Sequence, residues 1–331
     1  MDNKITKARL SSFMAYSWIT LIIVAVAAIL AWELLFAFGS VKLSREESFY
    51  YYYDINVSYD NFATFNNQLL TDNDGDQIFS YGIQKVEPTY LLENYEQFIT
   101  LVKGIDGDAM FSSSKRNSKE GQEYTTSQVD SIIDGFLTYD YDKLVSDAKA
   151  YLSKYVEQGQ DPLNFSNFSI EKMETEFLNR VKNDNRFRTK EQKREGFKKE
   201  MQRLEDLANA TKRLSLLLEY DNTLPENDKV FYKYRRFEQS LNSASESEKA
   251  EYEEAYNNTT TLRYGLNLVK LTGGKYNTQD FFRLTNSNTT TSENTVLIIF
   301  DYYEDQPFFQ FEAITFVDYI VSSFGSFSFY A

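Results

Sequence analysis

Thr295 to Asp301 reads TVLIIFD, an unbroken apolar run of strand length closed by a carboxylate. Such a run marks a strand buried on both faces, and a doubly buried strand needs a covering layer on each side of its sheet. That requirement points to an α/β architecture. Downstream, Ala313, Val317, Ile320, Val321 and Phe324 fall at i, i+4, i+7, i+8 and i+11, which predicts a closing helix with one apolar face. Upstream, Leu262 to Leu271 carries sheet character again.

The same alternation appears nearer the N-terminus. Phe49 to Val57 (FYYYYDINV) is aromatic and branched enough for a strand. Ser58 then caps a helix over Tyr59 to Leu70, and Thr71 to Asp76 breaks it. A second strand is expected in Gln77 to Val86. Pro88 then opens a helix with Leu92, Tyr95, Phe98, Ile99 and Val102 on one face, closed by Gly104. A third strand, Asp108 to Ser112, a polar loop and a helix around Ser127 to Leu137 follow. Strand, helix, strand, helix, strand is the order of a mainly parallel sheet covered by helices.

The centre differs. Tyr141 to Gln158, Ser169 to Asn183 and Thr189 to Tyr220 read at helical period with dense alternating charge, and Lys229 to Leu241 and Glu246 to Tyr256 read as further helices. The chain thus divides into an α/β domain over 49–137 with 262–331 and a helical insertion over 138–261.

Met14 to Phe38 (MAYSWITLIIVAVAAILAWELLFAF) contains one charge, Glu33, and about 20 apolar residues suffice to cross the hydrocarbon. Trp18 and Trp32 stand where interfacial aromatics are favoured, and Lys4, Lys7 and Arg9 place the N-terminus inside. The expectation is a cytoplasmic tail over 1–13, one transmembrane helix over 14–38, a spacer over 39–48 and an extracellular body. The competing reading is a cleaved signal peptide ending near Ala37-Phe38-Gly39, against which the apolar run is long.

The chain has a net charge of −14 with no Cys and no His. A surface this acidic repels phosphate backbones, so nucleic acid is not an expected partner. The basic stretch Lys193 to Lys199 is interrupted by Glu195 and reads as a solvated helix face. Thiol and imidazole chemistry, disulfides and a lipidated-Cys anchor are excluded, and no cofactor is implied. An exported domain without Cys fits a Gram-positive surface.

The layout resembles type II periplasmic solute-binding proteins, the bilobed receptors of ABC importers. The stretches carrying the resemblance are YDINVSYDNF at Tyr53, YEQFITLVKGIDGDAMF at Tyr95, YGLNLVKL at Tyr264 and VLIIFDYYEDQPFFQFEAITFVDYIV at Val296. The resemblance implies a first lobe to which the chain returns after crossing to a second lobe, a small-molecule ligand, an ABC transporter as partner and no catalysis. It departs from the family in its helical centre, where that family has a second α/β lobe.

Open α/β sheets bind at the carboxyl ends of their strands, which nominates Ser58, Tyr59 and Asp60 after the first strand and Ser112, Ser113 and Ser114 after the third. The plainer reading makes Ser58 a helix cap and the other serines loop. Asp72, Asp74 and Asp76 in DNDGDQ place oxygens at alternate positions, as a calcium loop does, but Gln77 stands where its glycine belongs. A solvated turn is the competing account. The alternative to a solute-binding domain is a membrane-tethered scaffold acting through its helices.

Overall fold

A computed structural model of the chain describes residues 7–39, 48–55, 65–67, 69–70, 83, 85–91, 107–114, 127–135, 138–271, 295–301, 311–325 and 327. The chain forms two compact units, Met1–Ser44 and Arg45–Ala331.

The first unit is built on α1 (Lys7–Gly39), a 33-residue helix about 50 Å long. Its described apolar side chains, among them Ile19, Ile22, Ile23, Val24 and Ile29, are exposed. Ile22, Ile23 and Val24 are consecutive and point in different directions, so the helix presents apolar surface around its circumference. Among the described residues, no helix is long and apolar enough to cross a membrane.

The second unit is a mixed α/β structure around one six-stranded sheet. Its strands are β1 (Ser48–Tyr53), β2 (Lys85–Tyr90), β3 (Ala109–Ser113), β4 (Phe231–Arg235), β5 (Thr261–Asn267) and β6 (Thr295–Ile299), in the order β2-β1-β3-β6-β5-β4. β1 runs parallel to β2 and β3, whereas β3–β6, β6–β5 and β5–β4 are antiparallel. The sheet is therefore mixed, not mainly parallel. The second half of the chain enters it as a hairpin and one returning strand, without parallel crossovers.

β6 has the double burial its composition demands, with all five residues buried. Leu297 and Ile299 face one core with Phe49, Tyr51 and Phe111, while Val296 and Ile298 face another with Tyr52 and Met110. The first core is covered by α3 (Tyr141–Leu152), α5 (Lys190–Thr223) and α9 (Glu312–Phe324), through side chains such as Leu144, Ala148, Leu204, Leu214, Phe316 and Ile320. The second is covered by α2 (Gln128–Gly135), through Val129, Ile132 and Ile133. α9 is buried on nearly every side, because α5 packs over the surface it turns away from the sheet. Phe316 lies 4.9 Å from Phe49, ring centre to ring centre.

Two expectations need correction. Residues 231–235 form a strand where a helix was expected. Phe231 and Tyr234 fit either period, and pairing with β5 decides in favour of the aromatic β-former. The insertion over 138–261 is thus not purely helical, and its helices share the first core with the sheet instead of forming a separate body. No second sheet occurs among the described residues. Pro88 opens no helix either: it lies within β2, opposite Tyr51. β2 is an edge strand, the place where a sheet tolerates a residue without an N–H. The helices expected over Tyr59 to Leu70 and Leu92 to Val102 fall largely or wholly outside the described residues.

The remaining helices are α4 (Ile170–Arg180), α6 (Glu238–Ser243), α7 (Lys249–Asn257) and α8 (Leu268–Leu271). α3, α4 and α5 begin on Asp140, Ser169 and Thr189, whose side chains each accept from a backbone N–H of the first turn.

Candidate functional site

β1, β2 and β3 run in the same direction, so their carboxyl ends open on one edge of the sheet. Asp54 directly follows β1, and its backbone N–H donates to the Phe111 carbonyl at 3.3 Å. Ser112, fully buried in β3, donates from Oγ to Asp54 Oδ2 at 2.5 Å. Asp54 and Ser112 alternate with Tyr53 and Phe111, so they project toward the face covered by α2. Beside them, the rings of Tyr53 and Tyr90 close the ends of β1 and β2 at 5.2 Å.

The second oxygen of Asp54, Oδ1, is shielded from solvent and accepts no hydrogen bond among the described residues. Burial lifts the carboxyl to a pKa of about 6, while the Ser112 hydroxyl and the backbone N–H groups of Asp54 and Ser113 limit the rise. The site therefore offers a carboxyl that titrates near neutrality and has one oxygen with no donor among the described residues, which suits a ligand bringing a hydroxyl or amine donor.

A consequence for stability follows. An acid whose folded pKa lies above its unfolded value of 3.8 makes the native state bind the extra proton between the two values. Its contribution is greatest below pH 4 and is lost as pH rises through about 6, a change of about 3 kcal/mol. Asp54→Asn keeps the shape, removes the titration and is expected to be the more stable protein at neutral pH, by about 1–2 kcal/mol. Urea unfolding across that pH window checks this, and an unchanged pH slope in the variant contradicts it.

Of the residues nominated from sequence, Ser112 is in the site. Ser113 is half-buried and paired with Thr295 in the β3–β6 ladder, and Ser114 follows half-buried at the strand end. Ser58, Tyr59 and Asp60 lie outside the described residues, as do Asp72, Asp74 and Asp76 of the calcium-like loop. Asp54 was missed. Its signal was visible in YYYYD, an ionisable residue closing an apolar strand at the edge where ligands bind. No cluster of Asp and Glu able to hold a metal occurs among the described residues.

Two further polar clusters hold the fold together. Arg203 is buried, donating to Glu200 at 2.9 and 3.0 Å and to the Tyr151 hydroxyl at 2.9 Å, with Glu312 of α9 at 3.7 Å. Arg180 of α4 makes a second, bidentate contact to Glu200. Burial alone would raise the Glu200 carboxyl, but the two guanidinium groups outweigh it and hold it below the usual range. On the other side of the sheet, Tyr232 and Tyr234 of β4 donate to Asp130 and Asp134 of α2 at 2.6 and 2.7 Å, fixing that helix over the second core.

No family model matches the chain, and no curated protein or solved structure matches it either.

Proposed function

We propose that the chain is a membrane-anchored, non-catalytic binding protein. Its α/β domain lies outside the cell and takes up a small molecule, or contacts an adjacent transporter, at the carboxyl ends of β1, β2 and β3. The observation that carries this reading is the buried, unsatisfied Oδ1 of Asp54 at the edge where three parallel strands end. The return of the late strand β6 beside β3 agrees with a solute-binding-protein-like first lobe. Sheet and helices share one core, which supports a single-lobed version in which a ligand would contact a strand edge instead of an interlobe cleft.

The anchor is α1, whose sequence over Met14 to Phe38 is predominantly apolar and carries one charge, Glu33. Its exposed side chains and the basic residues before it support a single span with the N-terminus inside.

The test uses the full chain reconstituted in lipid vesicles. Alkaline washing should leave it in the membrane, and release into the wash contradicts the anchor. A thermal-shift panel of amines, sugars, amino acids and peptides should yield a stabilising compound, with about 2.7 kcal/mol at a hundredfold excess over its Kd. The shift should disappear in Asp54→Asn. A panel without effect on a cooperatively melting protein removes the binding reading and leaves the tethered scaffold.

A further inference from the structure

The chain is acidic as a whole, yet one end of its helical module is not. Between Val181 and Lys199 eight Lys and Arg stand against three Asp and Glu, in a chain whose net charge is −14. Lys182, Arg188, Lys190 and Lys193 are exposed or half-exposed and meet no carboxylate among the described residues.

The segment is rigid. Phe177 and Phe187 meet edge to face at 5.6 Å, and Gly196 packs so tightly that a Cβ there would come within 2.3 Å of the Phe187 ring. Thr189 and Gln192 form a reciprocal cap at the start of α5. Gathering positive charge there opposes folding, because like charges repel and the first turn of a helix favours anions. The cluster therefore does not stabilise the monomer, and a facing acidic surface would relieve it.

The chain carries such a surface. Ser245 to Glu254 (SESEKAEYEE) holds five Glu and one Lys along the start of α7. Glu251, Glu253 and Glu254 are exposed and form no ion pair among the described residues.

We propose that the basic tip formed by the end of α4, the following turn and the start of α5 docks on the acidic α7 segment of a second copy of this chain. The two surfaces are different, so the contact is head to tail and leaves one tip and one acidic segment free at the ends of each pair. Exposed ion pairs are individually weak, so the association is reversible and screened by salt. It is independent of the strand-end binding site.

Sedimentation velocity on the full chain in an uncharged detergent provides the test. Self-association is expected at low salt and its loss at high salt. K190E/K193E and E251K/E254K should each weaken it by about tenfold or more while leaving the circular dichroism unchanged. K190Q/K193Q should weaken it in the same direction. A mixture of the two reversal variants should associate again, because the acidified tip of one faces the basified segment of the other while the two unaltered surfaces still match. A full chain that is monomeric at low salt overturns the proposal. So does association lost in K190E/K193E but unchanged in E251K/E254K, which would assign the tip to a different anion.

Discussion

Replacing Gly265 with valine is expected to destabilise the α/β unit by about 3 kcal/mol or more, enough to deplete the folded protein. Gly265 lies in β5 opposite Ile298, between two strands. A Cβ at this position would come within 2.1 Å of Val296 Cγ1 and 3.4 Å of the Leu297 carbonyl oxygen, both on the central strand. Val296 is fully buried and has nowhere to retreat without displacing the core beneath α2. Gly265→Ala should show the same effect at smaller size. Gly135→Ala, where nothing lies within 4 Å, should stay within about 0.5 kcal/mol. Urea unfolding of the three variants decides the matter, and a Gly265→Val protein as stable as the wild type would show that β5 and β6 do not pack as described.

Arg203→Met is expected to cost about 3–5 kcal/mol. The methionine fills much of the volume, but Glu312 loses the neighbouring guanidinium, and among the described residues Glu200 keeps only that of Arg180 and the Tyr151 hydroxyl keeps only the Tyr155 donor. Combining it with Glu312→Gln should recover part of the loss, since the second change removes a charge the first leaves poorly compensated. Glu200 adds a pH signature. Its carboxyl is held low in the folded state, so its contribution is present above the ordinary glutamate range and is lost as pH falls through the folded value. Arg203→Met should therefore weaken the acid sensitivity of unfolding. A single variant no less stable than the double would contradict the coupling between Arg203 and Glu312.

The parts of this fold that could be read from sequence are those in which burial leaves a periodic trace. Val296 to Phe300 is apolar at every position because both faces are covered, and α9 shows its stripe for the same reason. β4 was illegible because Phe231 and Tyr234 are three apart, a spacing that suits a helix face, and only the neighbouring β5 selects the strand. Pro88 misled because a proline that opens a helix and one on a sheet edge look alike until the strand order is known. The buried charges Glu200 and Arg203 are lost among the many solvated ones in α5, since composition does not reveal which way a side chain turns. At the strand edge, the rule for carboxyl ends nominated Ser112, which the structure places beside Asp54. Asp54 was not legible because the expected strand ran on to Val57, which put the strand end three residues beyond it.

The position of β6 bears on how the protein is made. It joins β2-β1-β3 to β5-β4, yet it is the last of these six strands to leave the ribosome. Until residues 295–299 emerge, the sheet exists only as two unconnected fragments, and the pairing of β6 with β3 joins residues more than half the chain apart. Such long-range pairing is slow and prone to aggregation. The sheet therefore cannot close until residues 295–299 have been made. Truncation before residue 295 should yield an insoluble or degraded product, not a smaller folded domain.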